Sequence, residues 1–163
     1  MGASCTIKVV FAPATATAFS RTLTVAYTGA TVTPAAVTLT GTGTSPATVS
    51  ISPLTITLPT GSSTGTGTVT LTNSAAAGGA SVQVTNVAVS GGTLLTYIFT
   101  NGALAGPDTC TGATVAPGAS CSVSVRFTNI RSARGANRAG TITFTDSAAG
   151  SPQSSALIGI ATP

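Results

Sequence analysis

The sequence predicts an all-β protein: an immunoglobulin-like antiparallel β-sandwich, with one complete module preceded by the closing third of another. Three observations lead there. Apolar residues alternate with period two, and no stretch supports a helix. Turn-forming clusters of Gly, Pro, Ser and Asp interrupt the alternation at strand-length spacing. A stretch near the start, Gly2-Ala3-Ser4-Cys5-Thr6-Ile7-Lys8-Val9-Val10-Phe11, is echoed by Gly118-Ala119-Ser120-Cys121-Ser122-Val123-Ser124-Val125-Arg126-Phe127.

In chain order, the partial copy supplies strands near 5–11, 21–28 and 36–42. In the first, Ile7, Val9 and Phe11 share a face, as do Val123, Val125 and Phe127 in its counterpart. The complete module reads as strands at 47–51, 54–58, 66–73, 81–89, 94–100, 113–116, 121–128, 140–146 and 154–161. Thr66-Gly67-Thr68-Val69-Thr70-Leu71-Thr72 is typical, with Val69 and Leu71 on one face and threonines on the other, the pattern of two packed antiparallel layers. Gly61–Gly67, Gly78-Gly79, Gly91-Gly92, Gly106-Pro107-Asp108, Ala116-Pro117-Gly118 and Gly150-Ser151-Pro152 read as turns.

The echo extends beyond its first stretch. Thr22-Leu23-Thr24-Val25 answers Thr141-Ile142-Thr143-Phe144, and Leu39-Thr40-Gly41-Thr42-Gly43 answers Leu157-Ile158-Gly159-Ile160-Ala161. Repetition at this scale indicates a tandem array of one module. The boundaries fall at 1–44 for the partial copy and 45–163 for the complete one, with Pro46 stiffening the junction. A third of a sandwich cannot bury its own face. The expectation is that Ile7, Val9, Phe11, Leu23 and Val25 form an assembly face, covered by the second module or by another chain.

Composition narrows the function. Charged residues are 5% of the 163 and aromatics 4%, with no His and no Trp, while hydrophobic residues reach 42%. Disordered chains have the opposite balance. A surface with so few charges repels its copies weakly, so lateral association is easy. The net charge of +4 rests on few groups. Four of the six cations lie between Arg126 and Arg138, three of them (Arg131, Arg134 and Arg138) in one run. That run reads as a solvated loop protecting a sheet edge, or as a contact for an anionic polysaccharide, lipid headgroup or neighbouring subunit. Nucleic acid is not expected, since no aromatic platform or groove-entering helix accompanies the arginines. Nor is a membrane-spanning helix, since no run of about 18 apolar residues occurs.

Cys110 and Cys121 flank a Gly- and Pro-containing loop and read as a disulfide, which in the loop-entropy model is worth roughly 3 kcal/mol. The alternative is two small buried thiols, or a reduced pair. A disulfide would match an oxidising, extracytoplasmic setting. Cys5 corresponds to Cys121 in the echo, so it reads as a free thiol or half of an interchain bond. Three scattered thiols without His cannot supply four zinc ligands locally.

Asp108-Thr109-Cys110-Thr111-Gly112, Val115-Ala116-Pro117-Gly118-Ala119-Ser120-Cys121 and Val123-Ser124-Val125-Arg126-Phe127 resemble the bacterial choice-of-anchor D repeat. That family is related to the Hydin-type and major-sperm-protein-like sandwiches. The first copy carries the same signature over Gly2 to Pro13 and closes on Pro34 to Gly43 in similar fashion. The second copy departs from it at Thr128-Asn129-Ile130 and in ending Gly159-Ile160-Ala161. The resemblance implies an immunoglobulin-like fold and a protein secreted by, or displayed on, a bacterium, where such repeats act as spacers, adhesive modules or structural units.

No catalytic constellation is legible. The only carboxylates are Asp108 and Asp146, both at turn positions, and a Ser/His/Asp arrangement is impossible without His. Calcium sites want several carboxylates, and no phosphate-cradling loop precedes a helix. The chain therefore reads as a non-enzyme without a cofactor or metal. Tyr27, Tyr97, Phe19 and Phe99 are candidates for sugar stacking, but Tyr97 and Phe99 share a strand face and read as core. Three functions emerge: an extracellular structural subunit of a filament, sheath or surface stalk that partners with copies of itself; an adhesive or carbohydrate-binding module meeting surface polysaccharide through Arg131, Arg134 and Arg138; and a phage decoration protein.

Overall fold

The structure, a computed structural model, describes residues 4–13, 16–29, 35–93, 97–130 and 137–162. The chain separates into two compact units, Met1–Ser45 and Pro46–Pro163. Among the described residues of the first is an antiparallel pair, β1 (Ala18–Val25) and β2 (Ala35–Thr42).

The described residues of the second unit form ten strands in two sheets. They are β3 (Val49–Ile51), β4 (Leu54–Leu58), β5 (Thr64–Asn73), β6 (Val82–Ser90), β7 (Gly92–Thr93), β8 (Tyr97–Thr100), β9 (Thr114–Val115), β10 (Ser120–Asn129), β11 (Asn137–Asp146) and β12 (Gln153–Ala161). One sheet runs β3-β5-β10-β8-β7 and the other β4-β12-β11-β6-β9. All neighbours are antiparallel except β4, which runs parallel to β12. This is an immunoglobulin-like β-sandwich, and no helix occurs among the described residues.

Period two dictates the core. In β10, Cys121, Val123, Val125 and Phe127 are all buried, while the residues between them are half-buried. They meet Ile142 and Phe144 of β11 and Leu157 and Ala161 of β12 from the opposite sheet. Phe127 faces Phe99 across the β10–β8 register, and their rings stack at 4.9 Å. Each fully buried side chain of this size contributes about 1.5–3 kcal/mol. The hydroxyl faces point outward and pair across strands, Thr72 with Ser120 and Thr143 with Ser154, each at 2.8 Å.

Several sequence expectations shift. Gly65, read as a turn residue, lies inside β5 together with Gly67, which the strand expected at 66–73 already included. They are glycines because β4 packs over them. A Cβ on Gly65 would stand 2.8 Å from Leu58 Cδ2, and one on Gly67 2.7 Å from Leu54 Cδ1. The Gly91-Gly92 turn continues into the short strand β7, hairpinned to β8. Of the strand expected at 94–100, residues 94–96 lie outside the described residues. Arg138 belongs to β11, not to a loop. It pairs with Gly159, and its guanidinium lies 5.7 Å from the centre of the Tyr97 ring. The Tyr97 hydroxyl donates to the Ala139 carbonyl at 3.1 Å. Arg131 and Arg134 lie outside the described residues.

Asn73 is a buried polar residue the pattern did not mark. Its Nδ2 donates to the carbonyls of Ala80 and Val115, both at 3.0 Å, and its Oδ1 accepts from the Ala75 N–H at 3.1 Å. The side chain thus binds the end of β5 to the loop before β6 and to β9. Asn73→Ala strands those groups in a buried site, so urea unfolding should show about 2–3 kcal/mol lost. Gly159→Val, whose Cβ would meet Phe127 ring carbons at 2.5 Å, should lower stability by about 1–3 kcal/mol in the same assay.

Candidate functional site

The first unit repeats the second at the level of hydrogen-bond register. In β1–β2, Thr22 faces Thr38 and Leu23 faces Val37. In β11–β12, their echoes Thr141 and Ile142 face Ala156 and Ser155. Three residues along, Phe19 faces Gly41 where Arg138 faces Gly159. A single slip would send every side chain to the other face, so the shared register is a specific match.

The match extends across the layer. In the second unit, the Phe127 ring lies against Gly159, close enough that a Cβ there would stand 2.5 Å from Cζ. In the first, the Phe11 ring lies against Gly41, where a Cβ would stand 2.8 Å from Cζ. Phe11 also meets Phe19 edge-on, with ring centres 5.9 Å apart. Residues 4–13 therefore present Phe11 to the hairpin as β10 presents Phe127.

What differs is the cover. Val123, Val125 and Phe127 are 0% exposed. Ile7, Val9 and Phe11, their counterparts, are 51%, 51% and 52% exposed. On the hairpin, Leu23 and Val25 are half-buried and Val37 is 51% exposed. Between the segment and the hairpin lies an open cleft of about 680 Å³, lined by Val9, Val10, Phe11, Phe19, Arg21 and Leu39 among others. The strand expected at 5–11 does not form: residues 4–13 carry no strand. The reason is pairing. β10 is held on both flanks, by β5 and β8, and no described residue of the first unit takes either place. The hairpin expected at 21–28 and 36–42 does form, with its first strand displaced to Ala18–Val25.

The structure joins Cys110 to Cys121, with Cα atoms 5.0 Å apart, both buried. Cys5 is exposed and free. Beside the disulfide, Asp108 caps its own turn. Its Oδ1 accepts from the Cys110 N–H at 2.8 Å and the Thr111 N–H at 3.0 Å, and its Oδ2 accepts from the Thr111 hydroxyl at 2.6 Å. Partial burial pushes the carboxyl up, but these three bonds together outweigh it and hold Asp108 below the ordinary carboxylate value. Asp146 makes a similar local bond, accepting from the Ala148 N–H at 2.8 Å. Both carboxylates serve turns. The sequence marked Ile7, Val9, Phe11, Leu23 and Val25 as an assembly face and Phe19 as a sugar-stacking candidate, and it placed none of Phe19, Leu39 and Gly41 at this cleft. The signal for those three was available in the echo, since Gly41 aligns with the Gly159 that Phe127 covers.

No family model matches the chain, and no curated protein matches it. Solved structures resemble it at the level of fold. The chain is similar to the Vibrio cholerae VesB protease (21% identity, TM-score 0.46), covering 69% of this chain and 31% of that one, so it spans about a third of the protease's length. A Porphyromonas gingivalis W83 protein of unknown function matches at 11% identity over 90% of this chain and 67% of its own, with a TM-score of 0.49. The PapD-like domain 7 of human CEP192 matches at 16% identity over 83% and 96%, with a TM-score of 0.42. Likenesses at this level carry no functional argument; the sandwich assignment rests on strand order and register.

Because Asp108 has a lowered value in the folded state, its contribution to stability is full above the ordinary carboxylate value. It is lost as pH falls through the lowered one. Thermal melts across acidic pH should show the wild type losing stability over that window. Asp108→Asn should be less stable at neutral pH and show a shallower acid dependence.

Proposed function

We propose that the chain is a non-catalytic structural protein of the bacterial cell surface or extracellular space. In this reading it is a β-sandwich repeat of the choice-of-anchor D type that builds a filament, sheath or stalk. Neighbouring modules or chains join by completing one another's sheets. One observation carries the reading: two units share one register and one Phe-on-Gly contact, yet the same three apolar positions are sealed in one and half exposed in the other. A strand-patterned segment that belongs to no sheet, lying beside an apolar cleft, is open to pairing with an added strand. Contiguous apolar exposure of this kind marks association surfaces.

Other features agree with it. The low charge leaves little repulsion between copies. The disulfide matches an oxidising compartment. The two carboxylates are committed to turn geometry, which supports the non-catalytic reading.

Sedimentation velocity over a concentration series tests it. The 163-residue chain should associate increasingly with concentration, and the triple substitution Ile7→Ser, Val9→Ser, Phe11→Ser should return it to a monomer with the second unit still folded. A wild type that stays monomeric throughout would sink the proposal.

A further inference from the structure

The second unit also specifies what kind of segment fits the open cleft of the first; this rests on the preceding reading and identifies the partner. In the second unit, the stretch from Tyr97 to Gly112 attaches to β10 at three points. Phe99 faces Phe127 in register and stacks on it at 4.9 Å. Asp108 bridges Val123, flanked by Ser124 N–H donating to the Pro107 carbonyl at 3.0 Å and Thr109 N–H donating to the Ser122 carbonyl at 2.8 Å. Cys110 bonds Cys121.

The first unit keeps the receiving half of all three. Phe11, Ile7 and Cys5 stand at the positions of Phe127, Val123 and Cys121, with matching sequence spacing. Phe11 is already seated on Gly41, as Phe127 is on Gly159, so the floor beneath the ring is present. Among the described residues of the first unit, Phe11 has an edge-on neighbour in Phe19 but no stacked ring. Phe19 takes the position of Arg138, the residue whose guanidinium lies near the Tyr97 ring. It would offer an aromatic edge to an incoming Tyr97-like ring.

We propose that this cleft is the docking site for an antiparallel segment of Tyr97–Gly112 type, contributed by a further module of this kind. The segment has an aromatic-x-aromatic strand placed over Phe11 and Phe19 and a cysteine brought to Cys5. The donor is an incomplete module: in a complete sandwich, a second copy of this chain included, the Tyr97–Gly112 stretch is held by the disulfide and the stacked ring, so two copies of this chain meet only through their exposed apolar faces.

The test uses the full chain and a synthetic peptide copying residues 97–112. With the peptide cysteine replaced by serine and a fluorophore attached, anisotropy should show saturable binding. Binding should weaken about tenfold or more when the peptide carries Phe99→Ala or the chain carries Phe11→Ser. In a second arm the peptide cysteine is capped as a mixed disulfide with thionitrobenzoate. The Cys5 thiolate attacks the peptide sulfur, the Cys5–peptide disulfide forms, and thionitrobenzoate leaves as a coloured anion, with no outside oxidant. Release should be at least about tenfold faster than with a scrambled peptide, as local concentration effects require, and peptide mapping should place the link at Cys5.

A third arm tethers the segment to the N-terminus through a Gly/Ser linker, raising its effective concentration to the mM range. There the tethered form should sediment as a monomer. If neither peptide nor tether outperforms its scrambled version, the partner assignment is wrong. If that happens while the bare chain still self-associates, the structural reading survives without it. If the peptide binds to a chain that never self-associates, the structural reading falls and the partner assignment stands.

Discussion

The contact between a phenylalanine of one layer and a glycine of the other organises both units. In the second unit, Phe127 occupies the space a side chain at position 159 would need, and Phe99 stacks on the same ring. That contact sets the spacing of the layers at this point. It also fixes the phase of β10, because turning β10 by one residue would replace Phe127 with Thr128 or Arg126. Everything on that strand follows from the phase: Val123 and Val125 face inward, and Cys121 arrives beside Cys110.

The same contact appears in the first unit without its surroundings. Phe11 covers Gly41, and the hairpin keeps the register of β11–β12, yet residues 4–13 belong to no strand among the described residues. A sandwich gains stability from sealing both faces of the inner layer, and burial is what the first unit lacks. Its residues are those of a core, and their exposure is that of a surface. This contrast makes the unit an acceptor in the functional reading.

Two polar side chains of the second unit, Asn73 and Asp108, are each matched by several bonds. Asn73 gives and accepts three bonds inside the fold, and Asp108 gathers three at the turn next to the disulfide. Their neighbourhood joins the end of β5, the Cys110 loop, β9 and the start of β10. This corner is held by bonds rather than by aromatic packing, and the opposite end by the Phe99–Phe127 stack.

Alternation and turn chemistry were enough for the sequence to determine the all-β class, the two-layer arrangement and most strands of the second unit. Those signals are local, and each strand carries its own. The echo likewise marked Ile7, Val9 and Phe11 as core-type residues. Pairing partners and the neighbours of glycines are non-local, so tertiary structure decided the rest. Gly65 became a strand residue where β4 covers it, and Arg138 became a strand residue because β12 pairs with it. Residues 4–13, alternating as clearly as β10, stayed outside any sheet because a strand exists only where neighbours satisfy its backbone.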